Sequence, residues 1–184
     1  MTLKSKASRF INCAIAQFEE IGLPFNVHSA DVPDPPNSFF DGCWLESGCL
    51  HFVPERVKLS ELLHEAGHLA LIPKTNWHLI KPGTLDLLTP LTDYGVEAWD
   101  YAFAIKCGIP LLFLFVDGFN GNGFSVWEHF EGGTHPGIDL MELSGMADPF
   151  PKMTQWFVSE EAINLSAALE IDKIIMGDKM PEAT

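Results

Sequence analysis

Apolar residues recur along the chain with two periods. From Ser5 to Ile21, Phe10, Ile11, Ala14, Ile15, Phe18 and Ile21 fall at helical spacing, and Gly22 and Pro24 end that stretch. Phe25–His28 reads as a short strand. Asp31–Asn37 carries three prolines and is a loop. Phe39–Val53 predicts a hairpin whose two apolar runs flank a three-residue loop, Glu46-Ser47-Gly48. A helix is expected over about 57–71, with Leu59, Leu62, Leu63, Ala66 and Ala70 inward and Pro73 as its stop. Lys74–Pro90 reads as loop. A further helix, capped by Thr92 or Asp93, runs to about Cys107 and ends at Gly108-Ile109-Pro110. Leu111–Val116 is a buried segment that periodicity leaves open between strand and helix. The glycine-rich stretch Phe119–Gly137 reads as an irregular surface loop. Ile138–Met146 and Ser159–Met176 are expected to be helical.

These elements predict one domain over residues 1–184, of α+β class: a small mixed β-sheet packed on the helix at 57–71, a second helix beside it and further C-terminal helices. Its core lies at about 39–110, with a helical decoration at about 138–177. The length, 184 residues, suits one domain. The longest apolar run, Ile109–Val116, is far short of the ~20 residues of a spanning helix, so no membrane partner is expected. No signal-peptide pattern opens the chain, which points to the cytoplasm and to reduced thiols at Cys13, Cys43, Cys49 and Cys107. Cys43 and Cys49, on the two arms of the hairpin, are the one pair placed for a disulfide. The formal net charge is −14, and no basic footprint for nucleic acid is visible.

The sharpest chemical feature is His64-Glu65-Ala66-Gly67-His68, an HExxH sequence inside the predicted helix. Histidines four apart lie on one helix face and can share one Zn²⁺, while Glu65 can hold a metal-activated water and take its proton. HExxH also arises by chance in helices. Against that, the motif follows a strand directly, and Gly67 costs about 1 kcal/mol in a helix unless something must approach closely. A catalytic zinc needs a third protein ligand. Asp86, Asp93, Glu97, Asp100 and His78 are candidates downstream. Glu97 is preferred, because Val96, Ala98, Ala102, Phe103 and Ala104 make an unusually apolar setting for a carboxylate. Asp100, on the same face, is placed to accept the Nδ1–H of a ligand histidine.

Three segments together resemble the small zinc metallopeptidases of the ImmA/IrrE type, which are minimal gluzincins within the HExxH zincins. They are Cys49-Leu-His-Phe-Val-Pro54, Leu59-Ser-Glu-Leu-Leu-His-Glu-Ala-Gly-His68 and Glu97-Ala-Trp-Asp-Tyr-Ala-Phe-Ala104. The resemblance covers about residues 39–110. It implies a zincin-like fold, with His64, His68 and Glu97 as zinc ligands and Glu65 as general base. The Glu-Ala-Asn core usual in that second helix is replaced by Trp99-Asp100-Tyr101, and no N-terminal helix-turn-helix is present. It also implies a regulatory protease acting on a peptide or protein. His129 and His135 are candidates for stabilising an oxyanion or gating the cleft, and Cys49–Val53 for pairing with extended substrate as an added strand. Two other readings stand beside this one. One is a non-proteolytic zinc-binding interaction or sensor protein whose cleft is covered by the Phe119–Gly137 stretch. The other is a structural domain in which the motif is accidental.

Overall fold

A computed structural model describes residues 3–83, 93–115 and 123–161. Helix α1 (Leu3–Ile21) buries Ile11, Ala14 and Phe18. It ends at Gly22, whose φ of +74° puts it in the left-handed region. The Leu23 N–H then bonds back to the Phe18 carbonyl at 2.9 Å, the closing pattern that glycine permits after a helix. Three short strands follow: β1 (Phe25–Val27), β2 (Cys43–Glu46) and β3 (Cys49–Phe52). Their order is β1-β3-β2, with β3 parallel to β1 and antiparallel to β2. The mixed sheet of the α+β expectation is therefore present. The hairpin loop is one residue tighter than expected. Glu46 pairs with Cys49, and only Ser47 (φ +49°) and Gly48 (φ +76°) turn the chain, as a twisted two-residue connection requires.

Helix α2 (Leu59–Leu71) is the centre of the molecule. Every residue in it except Glu61 is buried. The inner face of the sheet, made by Cys43, Leu45, Leu50 and Phe52, packs on it, as do α1, α3 (Asp93–Cys107) and α4 (Leu112–Phe115). The Val158 N–H reaches the Ala70 carbonyl at 3.0 Å, so the C-terminal part of the described chain covers α2 as well. A helix this apolar all round belongs in an interior. After it, Lys74–Leu79 forms a 3-10 helix, within what the sequence reads as loop. Leu111–Val116, left open between strand and helix, is helical over Leu112–Phe115.

The Phe119–Gly137 expectation is corrected. Gly123–Glu131 is a helix, α5, and α6 (Pro136–Leu143) begins before that stretch ends. Glycine density led that reading astray. Gly132 and Gly133 end a helix rather than prevent one, and Pro136 opens the next. The expected helix at Ser159–Met176 lies almost wholly outside the described residues. All four cysteines are free thiols. Cys43 faces Phe52 and Cys49 faces Glu46, so the hairpin does not bring the two together. No helix among the described residues is long and apolar enough to cross a membrane.

α2 and α3 approach closely at Gly67. A Cβ there would lie 2.9 Å from Val96 Cγ1 and 3.2 Å from Asp100 Oδ1. Alanine in a helix gains about 1 kcal/mol over glycine. Overpacking a core costs about 1–3 kcal/mol, and Val96 is fully buried and cannot swing aside. Gly67→Ala is therefore expected to lower unfolding free energy in urea by about 1 kcal/mol net. Gly67→Ala/Val96→Ala is expected to lose less than the sum of the two single variants, because the clash is gone.

Candidate metal centre

His64 and His68 sit one turn apart on α2, and their Nε2 atoms face each other at 2.9 Å. The rings are edge to face, 4.5 Å between centroids. Burial and the neighbouring His68 push the His64 pKa down to about 3, so its imidazole is neutral at any ordinary pH. Neutral imidazoles offer lone pairs, which is what a metal requires of them. Asp93, the first residue of α3, brings a carboxylate oxygen to 3.9 Å from His68 Nε2. One ligand atom each from His64, His68 and Asp93 all lie within 4.8 Å of one another. Among the described residues this is the only such group of three.

Glu65 lies beside the pair on the same helix and is 3% exposed. Its Oε2 has no hydrogen-bond partner. Desolvation pushes its pKa up to about 8. A carboxylate oxygen left unpaired in an interior costs about 1–3 kcal/mol and calls for a partner the chain does not itself supply. Next to two imidazoles and a carboxylate, a cation with its water is a partner of the right chemistry. The donor set fits a tetrahedral or similar divalent ion. With Zn–N bonds of ~2.0–2.1 Å the two nitrogens need open by only about 0.4 Å. A narrow cavity of about 10 Å³, bordered by Phe39, Leu45 and Lys81, reaches Glu65 from outside. That is space for about one water molecule.

Glu97 is placed differently from Asp93. It stands one turn further along α3, and its Oε2 is 3.0 Å from His135 Nε2. His135 is not a loop residue: it caps α6, is 3% exposed, and its ring stacks on Phe130 at 3.8 Å. Its Nδ1 accepts the Gly137 N–H at 3.1 Å, so the ring proton resides on Nε2 and is donated to Glu97. Gly137 makes this possible, since a side chain there would overlap the Tyr94 carbonyl and Ala98. The pairing of His135 with Glu97 was missed at the level of sequence, although Pro136 after a polar residue marks a helix start. His129 lies in the last turn of α5, its Nδ1 2.9 Å from Thr134 Oγ1, exposed and apart from the metal centre.

Asp100 is fully buried behind Gly67, and its Oδ1 has no hydrogen-bond partner. Burial, with Glu97 and Glu65 nearby, pushes its pKa well up, so it is held as the neutral acid. The substrate-strand expectation is corrected. Cys49–Phe52 is the central strand and both its edges are paired. The outer edges belong to β1 and β2. The Val53 N–H to Gly42 carbonyl bond (2.8 Å) makes Gly42, Trp44 and Glu46 the residues bonded to β3. Leu45 therefore turns its main-chain groups outward, beside the cavity that reaches Glu65, while those of Cys43 are taken by its antiparallel bridge to Phe40.

Comparison with family models, with characterised proteins and with solved structures finds no match for this chain.

Two outcomes are expected from this geometry. Asp93→Ala costs metal affinity more than the ~10–100-fold that an outer partner is worth, whereas Glu97→Ala stays within that range. Competition with a calibrated chelator measures both, and equal losses would remove Asp93 from the ligand set. In metal-free protein, the unfolded Asp100 carboxyl ionises above pH ~4 while the folded one stays protonated, so wild-type stability falls as pH rises from there. Asp100→Asn escapes that loss. Its stability relative to wild type should rise between pH 5 and 8 in urea unfolding, and a flat difference would show that Asp100 is ionised when folded.

Proposed function

We propose that the chain is a zinc-dependent metallopeptidase of the ImmA/IrrE-like HExxH type, with Asp93 in the place of the glutamate ligand of gluzincins, hydrolysing a peptide bond in a peptide or protein substrate. One observation carries the reading. The His64 and His68 imidazoles meet nitrogen to nitrogen at 2.9 Å on a buried helix that also carries the buried carboxyl of Glu65, with its unpaired oxygen. Metal-assisted hydrolysis uses each of these groups.

When bound, zinc supplies a Lewis acid for the scissile carbonyl and lowers the pKa of water toward ~7. The rest is the work of the chain. His64 and His68 would hold the ion, and burial keeps the His64 imidazole neutral for that role. Asp93 offers the third, negatively charged ligand from the first turn of α3, with Glu97 one turn behind, oriented by His135. Glu65 is the general base. Its carboxyl, with a pKa of about 8 before any cation is bound, sits near the operating pH, where accepting and returning a proton are both easy. Its apolar surroundings exclude competing water. An extended peptide fits as a strand along the outer edge of β2, hydrogen-bonding Leu45, which borders the cavity that reaches Glu65.

The burial of the centre favours one second reading. His64, Glu65 and His68 are each at most 9% exposed, and the opening holds about one water. A zinc-binding interaction or sensor protein without turnover has this closed form. The two readings differ in one experiment. Glu65→Gln is expected to retain zinc, measured by elemental mass spectrometry, and to cleave a broad peptide library ~10²–10⁴-fold more slowly than wild type. Equal cleavage by the variant would refute Glu65 as base. A wild-type protein that holds zinc and cleaves nothing in the library would leave the sensor reading in its place.

A further inference from the structure

The outer face of the sheet carries a second pair of imidazoles, far from any role in the chemistry above. Period-two alternation sends Cys43, Leu45, Leu50 and Phe52 into the core. The opposite face is left to Asn26, Trp44, Glu46, Cys49 and His51. Asn26, His51 and Trp44 form one row across β1, β3 and β2, and Cys49 faces Glu46 in a neighbouring row. His28, just past β1, is tied in by its N–H to the Phe52 carbonyl at 2.8 Å. Not one of these side chains is aliphatic.

Within this face His28 Nε2 and His51 Nδ1 meet at 3.0 Å. Their rings are within 17° of parallel, and both stack on the Trp44 indole, at 5.0 and 5.2 Å between centroids. Trp44 is 6% exposed. It forms a flat floor that fixes both ring planes and keeps water from one side. The nitrogen-to-nitrogen approach matches that of His64 and His68 to within 0.1 Å. At metal–nitrogen bonds of ~2.0–2.1 Å, 3.0 Å corresponds to an angle of about 95° at the ion, between square-planar and tetrahedral values.

We propose that His28 and His51 form a second divalent-metal site, on the outer face of the sheet, for a borderline ion such as Zn²⁺, Ni²⁺ or Cu²⁺. In its absence one ring donates its N–H to the other as a neutral hydrogen bond; the ion replaces that bond when the donating ring moves its proton, through solvent, to its other nitrogen, so that both facing nitrogens present lone pairs. The protein supplies two ligands here and water completes the coordination, so this site binds more weakly than the three-ligand group on α2 and α3. The proposal does not depend on the metallopeptidase reading.

Full-length protein, stripped with a chelator, would be dialysed to equilibrium against buffered free Zn²⁺ and its metal counted by elemental mass spectrometry. Wild type is expected to bind about two equivalents per chain at high free zinc. His28→Phe and His51→Phe keep a ring on Trp44 while removing the nitrogen, and each should lose the weaker equivalent only. His64→Ala should lose the tighter one only. If both phenylalanine variants, folded by circular dichroism, keep the wild-type stoichiometry, the sheet-face site does not exist. If His64→Ala removes all bound zinc, the sheet-face site is again refuted and the α2 site stands. A weaker equivalent kept in His64→Ala and lost in the phenylalanine variants upholds it, whatever becomes of the α2 reading. As a second readout, Cu²⁺ on His64→Ala should show hyperfine coupling to two imidazole nitrogens by electron paramagnetic resonance, and their absence would overturn the assignment.

Discussion

The burial of α2 on all sides is the constraint on which the rest of the molecule depends. A sheet, three helices and the segment around Val158 enclose it, and this enclosure removes His64, Glu65 and His68 from water together. Charge in such a place is expensive unless it is paired. The consequences are visible in opposite directions: the imidazole is driven far below its ordinary pKa and the carboxyl well above it. The helix thus holds uncharged donors at neutral pH, arranged so that a cation would restore charge to Glu65 and satisfy its free oxygen. A core that needed only packing would have filled these positions with leucine, as it does at Leu62, Leu63 and Leu69.

Helix α3 is the second organiser. It approaches α2 over Gly67, close enough for Val96 and Asp100 to fill the space that a side chain would take. That contact sets the height at which the first turn of α3 presents Asp93 to the histidines. One turn along, Glu97 is tied back by His135 from α6, and His135 is itself fixed by the Gly137 N–H and the Phe130 ring. Carboxylates on successive turns of one helix therefore differ in partner, because the elements facing them differ. The same logic separates the two imidazole pairs. On α2 a third ligand arrives from another helix, whereas on the sheet face the neighbours are an indole and solvent.

Much of this was legible in the residues. The spacing of apolar positions located α1, α2, α3 and the hairpin, and Gly22 and Gly108 marked helix ends where the structure has them. The four-residue spacing of the histidines placed them on one face, and the cost of Gly67 inside a helix pointed to a close approach that α3 provides. What was not legible depends on tertiary neighbours. The hairpin alone does not reveal that β1 pairs with β3, and that pairing turns β3 into a central strand and leaves the outer edges to β1 and β2. The apolar setting of Glu97 suggested burial, but its side chain is about a quarter exposed and its partner, His135, is 38 residues away. Composition misread the Phe119–Gly137 stretch, where glycines punctuate helices.

The claim at the centre of this account is that the head-on imidazoles of α2 are a metal site. Crystals grown with zinc and measured on both sides of the zinc absorption edge test it directly. The account predicts an anomalous difference peak within ~2.0–2.2 Å of His64 Nε2, His68 Nε2 and a carboxylate oxygen from α3, with Glu65 beside it but not bound to it. Well-ordered imidazoles with no peak between them, in crystals soaked at saturating zinc, would contradict it.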